Sequence, residues 1–245
     1  MAYEHFYQFY DKLMDDVPYD DYIRLVKQNI PRGTRLLDLG CGTGKVLVPL
    51  LKDGYIVDGL DNSEEMLLVV QSHLMELDLH TTLFLDDMRH VKRPEYYDGI
   101  YSFIDTINYL TNEDDLKDTF NGVYESLKPG GYFIFDVHNK DYIEQVFFDY
   151  SYHEQFENFT YLWDTFLEIE KDQTRIEHDL SFFVLTNEGL YKRMDEAHLQ
   201  VSFKLDIYLR LLKEAQFTDI DILSDFEKGI NPFATKYQLV CRKLE

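Results

Sequence analysis

Cysteine is scarce in this chain of 245 residues, which contains only Cys41 and Cys241. Two cysteines make neither a disulfide framework nor a cysteine-ligated zinc cluster, so both of these classes are excluded. No segment approaches the run of roughly 18 apolar residues that a membrane helix needs. Residues 1–5 show no basic segment followed by an apolar stretch, as a signal peptide would. We therefore expect a soluble cytoplasmic protein with no metal site and no membrane partner.

Basic residues are also few. Lysine and arginine number 24 against 46 aspartates and glutamates, which gives a formal net charge of −22. Such a charge repels phosphate polymers and anionic membrane surfaces, and no basic run in the sequence compensates for it. Nucleic acid is therefore a disfavoured partner. A small-molecule substrate, a cationic one included, fits the charge balance better.

Aromatic residues, in contrast, make up 16% of the chain and cluster in two segments, residues 3–10 and 147–166. Aromatic side chains bury large areas, so these clusters fit ordinary core packing. They fit the wall of a ligand cavity as well.

The rest of the sequence alternates between short apolar strands and helices, which is typical of an α/β fold. Helical connections require right-handed crossovers and therefore a parallel sheet, whose ligands bind at the carboxyl ends of the strands. The link between the last two strands is too short for a helix, so these two strands should be antiparallel. We predict strands at 35–39, 55–60, 82–85, 99–104, 132–137, 219–223 and 236–241, and helices at 3–14, 19–29, 45–52, 63–77, 111–127 and 205–214.

Residues 141–203 interrupt this alternation. Two runs there carry apolar side chains at every second position, and a third strand is predicted at 190–199. This pattern predicts a three-stranded antiparallel sheet inserted into the α/β domain. We expect residues 1–140 and 204–245 to form the main domain, and residues 141–203 to form a lid over the substrate.

A glycine-rich turn follows the first strand, with glycines at positions 40, 42 and 44. Alternate glycines let a ligand approach the backbone, and the next helix offers its N-terminal N–H groups. A dinucleotide fingerprint needs a further glycine at position 45, which is lysine here, so the nicotinamide-cofactor interpretation fails. The phosphate-binding loop of nucleotide hydrolases does not fit the spacing either.

Acidic residues stand at the ends of the next two strands. Asp61 can accept hydrogen bonds from both hydroxyls of a ribose that lies over the glycine turn. Asp87, followed by Met88, can accept the amino group of an adenine that the chain covers. Each acid alone also fits a helix cap or an exposed surface position, but their succession at consecutive strand ends favours a shared ligand.

These features together resemble the class I S-adenosylmethionine-dependent methyltransferases. The resemblance rests on residues 36–44, which read Leu-Leu-Asp-Leu-Gly-Cys-Gly-Thr-Gly, and on Asp61 and Asp87-Met88. It covers residues 20–138 and 204–243. It implies a doubly wound, Rossmann-like sheet of seven strands that ends in an antiparallel hairpin, preceded by an N-terminal helical cap. The first 19 residues also resemble a group of bacterial methyltransferases whose understood relatives act on small amines, including glycine and amino sugars.

The resemblance also implies which residues hold the cofactor, S-adenosylmethionine. The glycine turn would line its methionine part, Asp61 would bind the ribose, and Tyr10 would close over the whole. The adenine would lie between Asn62 and Met66, with Asp87 and Met88 at its edge. The implied set is Tyr10, Gly40, Cys41, Gly42, Gly44, Asp61, Asn62, Met66, Asp87, Met88, Ile104 and Asp105.

Methyl transfer from a sulfonium needs alignment and exclusion of water, and it needs a base only if the acceptor arrives protonated. His138, which directly follows the fifth strand, and Asp105 are the candidates for such a base. Tyr109, His178 and His198 are further residues that could face the pocket, although a structural role fits each of them.

The substrate class follows by exclusion. Residues 105–109 read Asp-Thr-Ile-Asn-Tyr, without the prolines of DNA amino-methyltransferases, and neither cysteine follows a proline as in cytosine-C5 enzymes. We expect methyl transfer to nitrogen or oxygen of a small molecule. A protein or RNA methyltransferase that works with a partner, and a non-catalytic cofactor-binding protein, remain as alternatives.

Overall fold

The computed structural model describes residues 7–244, and the predicted helical residues 3–6 lie outside this range. Seven helices and twelve strands are present in the described part of the chain. The helices are α1 (Tyr7–Leu13), α2 (Tyr19–Asn29), α3 (Leu47–Lys52), α4 (Glu64–Glu76), α5 (Glu113–Ser126), α6 (Lys140–Val146) and α7 (Leu205–Glu214). The strands are β1 (Arg35–Leu39), β2 (Ile56–Asp61), β3 (Leu83–Leu85), β4 (Tyr97–Ser102), β5 (Leu127–His138), β6 (Ser151–Gln155), β7 (Phe159–Ile169), β8 (Gln173–Leu185), β9 (Tyr191–Phe203), β10 (Asp219–Ser224), β11 (Glu227–Lys228) and β12 (Lys236–Arg242).

The main sheet has eight strands in the order β11-β10-β12-β5-β4-β1-β2-β3. Strands β1 to β5 are parallel, and β12 pairs antiparallel with both β5 and β10. The doubly wound α/β sheet and its closing antiparallel hairpin are therefore confirmed. The predicted count of seven strands is one too low, because the two residues of β11 pair with the end of β10.

Apolar side chains on both faces of this sheet are buried under helices. Leu36 of β1 packs in one core cluster with α2, α3 and α4, whereas its neighbour Leu37 packs in another with α5 and α7. Adjacent residues of a strand point to opposite faces, so this split is what a sheet covered on both sides requires.

A second, antiparallel sheet lies between β5 and α7 in the chain, with the order β6-β7-β8-β9. The prediction of three strands was wrong, because β6 adds a fourth. Four of the five β6 residues are exposed, so this polar edge strand has no buried alternating face that the sequence could reveal. Helix α6, which precedes β6, was also not predicted.

Two predicted boundaries change for local reasons. Residues 128–131, which separate the predicted helix 111–127 from the predicted strand 132–137, lie inside β5, which pairs with β4 through an irregular register at its start. Helix α3 begins at Leu47 rather than at residue 45, because the glycine turn extends to that point. Helix α4 is capped by Ser63, whose hydroxyl accepts a hydrogen bond from the backbone N–H of Met66.

Helix α1 packs on the second sheet through one aromatic side chain. The ring of Phe9 stacks on Phe182 with 4.8 Å between centroids and lies 4.5 Å from the ring of Phe159. Phe9 and Phe159, which belong to the two aromatic clusters of the sequence, therefore serve in core packing. In the described part of the chain, no helix is both long and apolar enough to cross a membrane.

Candidate active site

A pocket of about 90 Å³ lies at the carboxyl ends of β1, β2 and β4, over the glycine turn. We call it the glycine-turn pocket. Nine of the twelve residues implied by the sequence line it: Tyr10, Gly40, Cys41, Gly42, Asp61, Asn62, Met66, Met88 and Ile104. The predicted location at the strand ends is therefore where the structure brings these side chains together.

All three glycines of the turn have positive φ, at +83° for Gly40, +50° for Gly42 and +85° for Gly44. This region disfavours residues with a side chain. A Cβ on Gly40 would also stand 2.3 Å from a methyl carbon of Thr106, whereas a Cβ on Gly42 would meet open space. Gly40 thus permits the close approach of the loop after β4, and Gly42 leaves the pocket wall as bare backbone.

The carboxylate of Asp61 holds this turn in shape. Its Oδ2 accepts a hydrogen bond from the Gly42 N–H at 2.8 Å, and its Oδ1 accepts one from the Ser63 N–H at 3.0 Å. Burial raises the pKa of Asp61, and the backbone N–H groups of Ser63 and Gly42 oppose that rise. One carboxylate therefore connects the turn after β1 with the start of α4.

Asp38 lines the same pocket, although sequence reasoning did not assign it a role. It is only 4% exposed, and burial raises the pKa of its carboxyl group to about 8. A buried acid of this kind gains from a positively charged ligand group nearby. The sequence signal for Asp38 is that it is the one acidic residue among the leucines of β1.

Three implied residues lie elsewhere. The backbone of Gly44 faces α4, where a Cβ would stand 2.5 Å from a methyl carbon of Val70. Asp87 caps the turn at Met88–His90 and pairs with Arg89 at 2.6 Å, while its neighbour Asp86 lines the pocket instead. Asp105 faces a different cavity.

This second cavity, of about 170 Å³, lies between the loop after β4 and the second sheet. We call it the insertion cavity. Aromatic and histidine side chains dominate its walls, and Tyr10, Ile104 and Tyr109 belong to the walls of both cavities. The remaining wall residues are Leu13, Met14, Asp105, His138, Phe147, Tyr161, Trp163, His178, Leu180, His198 and Gln200.

The backbone between the two cavities is strained. Ile104 and Asp105 both have positive φ, at +61° and +64°, and a β-branched residue rarely adopts this conformation. Strain of this kind persists where surrounding interactions impose it, typically at functional sites.

His138 and Lys236 hold the side chain of Asp105 in place. Its Oδ2 lies 3.2 Å from His138 Nε2, and its Oδ1 lies 2.6 Å from the ammonium of Lys236. Lys236 also lies 3.4 Å from Asp136, which accepts a hydrogen bond of 2.7 Å from the hydroxyl of Tyr22. Burial raises the pKa of Asp105, but the charges of His138 and Lys236 outweigh it and lower the pKa below its usual value.

His178 is fixed as a neutral imidazole. The indole N–H of Trp163, which can only donate, lies 3.1 Å from His178 Nδ1. The proton of the ring is therefore on Nε2, which lies 3.3 Å from Gln200 Oε1. Burial lowers the pKa of His178 to about 4. Of the histidines considered from the sequence, His178 is thus the least suited to accept a proton.

His198 links Tyr109 to a buried carboxylate. Its Nδ1 lies 3.0 Å from the Tyr109 hydroxyl, and its Nε2 lies 2.9 Å from Glu196 Oε1. Glu196, whose side chain is 4% exposed, received no role from the sequence. Every second residue of β9 from 194 to 200 is buried. This alternation is the sequence signal that could have identified Glu196.

Hydrogen bonds also fasten β9 to the main sheet beside these residues. The Asn108 amide donates to the carbonyl of Val201 at 2.9 Å, and its oxygen accepts the His138 N–H at 3.2 Å. Ser202 donates to the His138 carbonyl at 2.8 Å. The position of the insertion cavity relative to β5 is therefore fixed by direct bonds. Within residues 7–244, no group of three or more His, Cys, Asp or Glu is placed to hold a metal ion.

Comparison with known proteins agrees with this geometry. Residues 36–131 match the family model described as "Methyltransferase domain". A Geobacillus sp. (strain WCH70) protein named as a methyltransferase is 35% identical over 232 residues, which is 92% of this chain and 93% of that protein. The structure of an S-adenosylmethionine-dependent methyltransferase from Clostridium acetobutylicum ATCC 824 superposes with a TM-score of 0.84, at 28% identity and 99% coverage of both chains.

Two further relatives are similar at lower identity. A glycine/sarcosine N-methyltransferase of Aphanothece halophytica is 26% identical over 212 residues, 84% of this chain and 74% of that protein. A dTDP-3-amino-3,4,6-trideoxy-alpha-D-glucopyranose N,N-dimethyltransferase of Streptomyces venezuelae is 31% identical over 111 residues, 45% of each chain. With the glycine turn, the strand-end acids and the closing hairpin in place, the chain belongs to the class I S-adenosylmethionine-dependent methyltransferases.

Proposed function

We propose that this methyltransferase transfers the methyl group of S-adenosylmethionine to nitrogen or oxygen of a small-molecule acceptor. The observation that carries the proposal is the shared wall of Tyr10, Ile104 and Tyr109 between the glycine-turn pocket and the insertion cavity. Two adjoining cavities allow a donor and an acceptor to meet in a fixed alignment, which is what this reaction requires.

The glycine-turn pocket suits the cofactor. Bare backbone at Gly42 leaves room for it, and the buried carboxyl groups of Asp38 and Asp61 favour a ligand that carries positive charge and hydroxyl groups. When bound, S-adenosylmethionine supplies an electrophilic methyl group on its sulfonium. Met88 and Asp86 would border the adenine in this proposal, while Asp87 would act through the turn that it caps.

Helix α1 would exclude water from the bound cofactor. Asp11 accepts a hydrogen bond from the Thr43 hydroxyl at 2.6 Å, and its other oxygen lies 3.3 Å from the ammonium of Lys45. These bonds tie α1 to the glycine turn, and Phe9 ties it to the second sheet. Tyr10, which lines both cavities, would thereby be held in place to close the site.

His138 remains our candidate for the base, and Asp105 is its positioning partner. The carboxylate of Asp105 lies beside His138 Nε2, so this nitrogen carries a proton and the imidazole keeps a fixed orientation in the insertion cavity. A neutral His138 would then take a proton from the acceptor on Nδ1, and Asp105 would stabilise the resulting imidazolium.

The size of the insertion cavity, about 170 Å³, favours a small acceptor over a protein or RNA. The relatives named for glycine, sarcosine and an amino sugar support the same choice, and they favour nitrogen as the methylated atom. Residues 141–203 would accordingly act as the substrate lid.

The first experiment follows the label from methyl-labelled S-adenosylmethionine in a cell extract to which the purified protein is added. We expect the label in the low-molecular-mass fraction, because the acceptor must fit the insertion cavity. Extract without added protein gives the background. Label that appears only in precipitated protein or RNA would contradict the proposal, as would tight cofactor binding without any labelled product.

The substitution His138→Gln should lower kcat for the acceptor by about 10²-fold or more, because general-base assistance typically contributes 10²–10⁴-fold. Cofactor affinity should be unchanged, since His138 does not line the glycine-turn pocket. His80→Gln, at a histidine whose side chain is 87% exposed, is the matched control. Full activity of the His138 variant on the true acceptor would remove His138 as the base.

Binding of the cofactor should release a proton near pH 7. The pKa of Asp38 is raised to about 8 by burial, so this carboxyl group is largely protonated at pH 7, and the positive charge of the cofactor favours its ionised form. Affinity should therefore rise with pH up to about 8, where Asp38 is ionised before binding. Calorimetry in buffers of different ionisation enthalpy measures the released proton. Equal release by wild type and Asp38→Asn would show that Asp38 is not its source.

A further inference from the structure

We infer that the acceptor is a small uncharged or cationic amine that carries no phosphate or carboxylate group. This inference rests on the proposed function and specifies its substrate. It departs from the acceptors in the names of the two distant relatives, because glycine carries a carboxylate and a dTDP-linked sugar carries a diphosphate.

The charged groups around the insertion cavity favour this class. Among the described residues, its walls contain the carboxylate of Asp105 and no lysine or arginine. Lys236, the cation next to Asp105, is already paired with both Asp105 and Asp136. Residues 1–8, whose side chains the structure does not describe, contain neither lysine nor arginine in the sequence. A phosphate or carboxylate inside the cavity would therefore lack a side-chain cation to compensate its charge.

The three histidines do not provide that cation. His178 is neutral because its Nδ1 accepts from Trp163. The Nε2 atoms of His138 and His198 face the carboxylates of Asp105 and Glu196, so positive charge on either ring is already balanced by a protein group. The cavity thus offers a bound molecule no net positive charge.

The aromatic side chains in the walls also favour binding of a cation. Trp163, Tyr161 and Phe147 line the cavity, and so do Tyr10 and Tyr109, which also line the glycine-turn pocket. Aromatic rings attract ammonium groups through their quadrupole, most strongly where water is excluded. The amine would be held near the shared wall, where methyl transfer must occur.

Size and one hydrogen-bond donor narrow the class further. The cavity of about 170 Å³ is close to the roughly 150 Å³ of an engineered protein cavity that binds benzene. The oxygen of Gln200 faces the Nε2–H of His178, so the amide NH₂ is the polar group that Gln200 has left for a ligand. That donor would bind a hydroxyl or carbonyl oxygen of the acceptor. An amino alcohol or an amino amide meets all of these conditions, and an unphosphorylated amino sugar meets those of charge and hydrogen bonding.

The test measures binding of matched pairs to the wild-type complex with S-adenosylhomocysteine, in which no turnover occurs. The pairs are ethanolamine and phosphoethanolamine, glucosamine and glucosamine 6-phosphate, and glycinamide and glycine. In at least one pair, we expect the member without the anionic group to bind about tenfold or more tightly, since an unpaired or like charge in a buried site is strongly disfavoured. The same member should be the better methyl acceptor with S-adenosylmethionine.

Two lysine substitutions make the test specific to the cavity. Gln200→Lys places a cation inside the insertion cavity and should shift the preference toward the anionic member of each pair. Leu199→Lys adds the same charge on the opposite, solvent-exposed face of β9 and should leave the preference unchanged. A Gln200→Lys protein that has lost its fold is recognised because it no longer binds S-adenosylhomocysteine. In that case, binding of the matched pairs to the wild-type complex tests the inference.

The inference is overturned if the anionic members bind as well as or better than their partners to the wild-type complex. It is also overturned if no uncharged or cationic member binds. Failure of the proposed function has a different signature, because S-adenosylhomocysteine itself would then not bind or no acceptor of any charge would be methylated.

Discussion

The buried carboxylate of Asp61 is the interaction on which the site depends. Its two oxygens accept the N–H groups of Gly42 and Ser63, so it fixes both the glycine turn after β1 and the beginning of α4. The glycine turn then presents bare backbone to the pocket. It also places Thr43, whose hydroxyl donates a hydrogen bond to Asp11. Removing one charged partner of a buried hydrogen-bonded group leaves donors unsatisfied, which is why a single side chain can shape so much of the pocket.

A second constraint joins this pocket to the insertion cavity. The positive φ angles of Ile104 and Asp105 cost on the order of 1–3 kcal/mol each, and the contacts of Asp105 with His138 and Lys236 hold it in this conformation. The antiparallel strand β12 makes this possible, because its register places Lys236 opposite His138 at the end of β5. The closing hairpin of the fold therefore takes part in the site as well as in the sheet.

Much of the fold could be predicted because its signals are local. Helix-strand alternation indicated the doubly wound sheet, and the short final link indicated its antiparallel hairpin. The missing elements lacked such signals: β6 is polar and exposed, and β11 has two residues. For the candidate site, the structure brings the predicted strand ends together at one pocket, but the choice between Asp86 and Asp87 depends on how the chain turns after β3. The contact of His198 with Tyr109 joins residues 89 positions apart, and no local pattern determines it.

The central claim is that S-adenosylmethionine binds over the glycine turn against Asp61. Calorimetric titration of wild type and Asp61→Ala with S-adenosylmethionine and S-adenosylhomocysteine tests it most directly. We predict binding by wild type and a loss of about 10- to 100-fold in the variant, the equivalent of roughly 1.5–3 kcal/mol for hydrogen bonds to a charged group. Asp78→Asn, at a fully exposed aspartate with a positive φ that asparagine tolerates, controls for the change in net charge, and circular dichroism checks that each variant is folded. Wild-type protein that binds neither compound, or a folded Asp61 variant that binds them unchanged, would contradict the account.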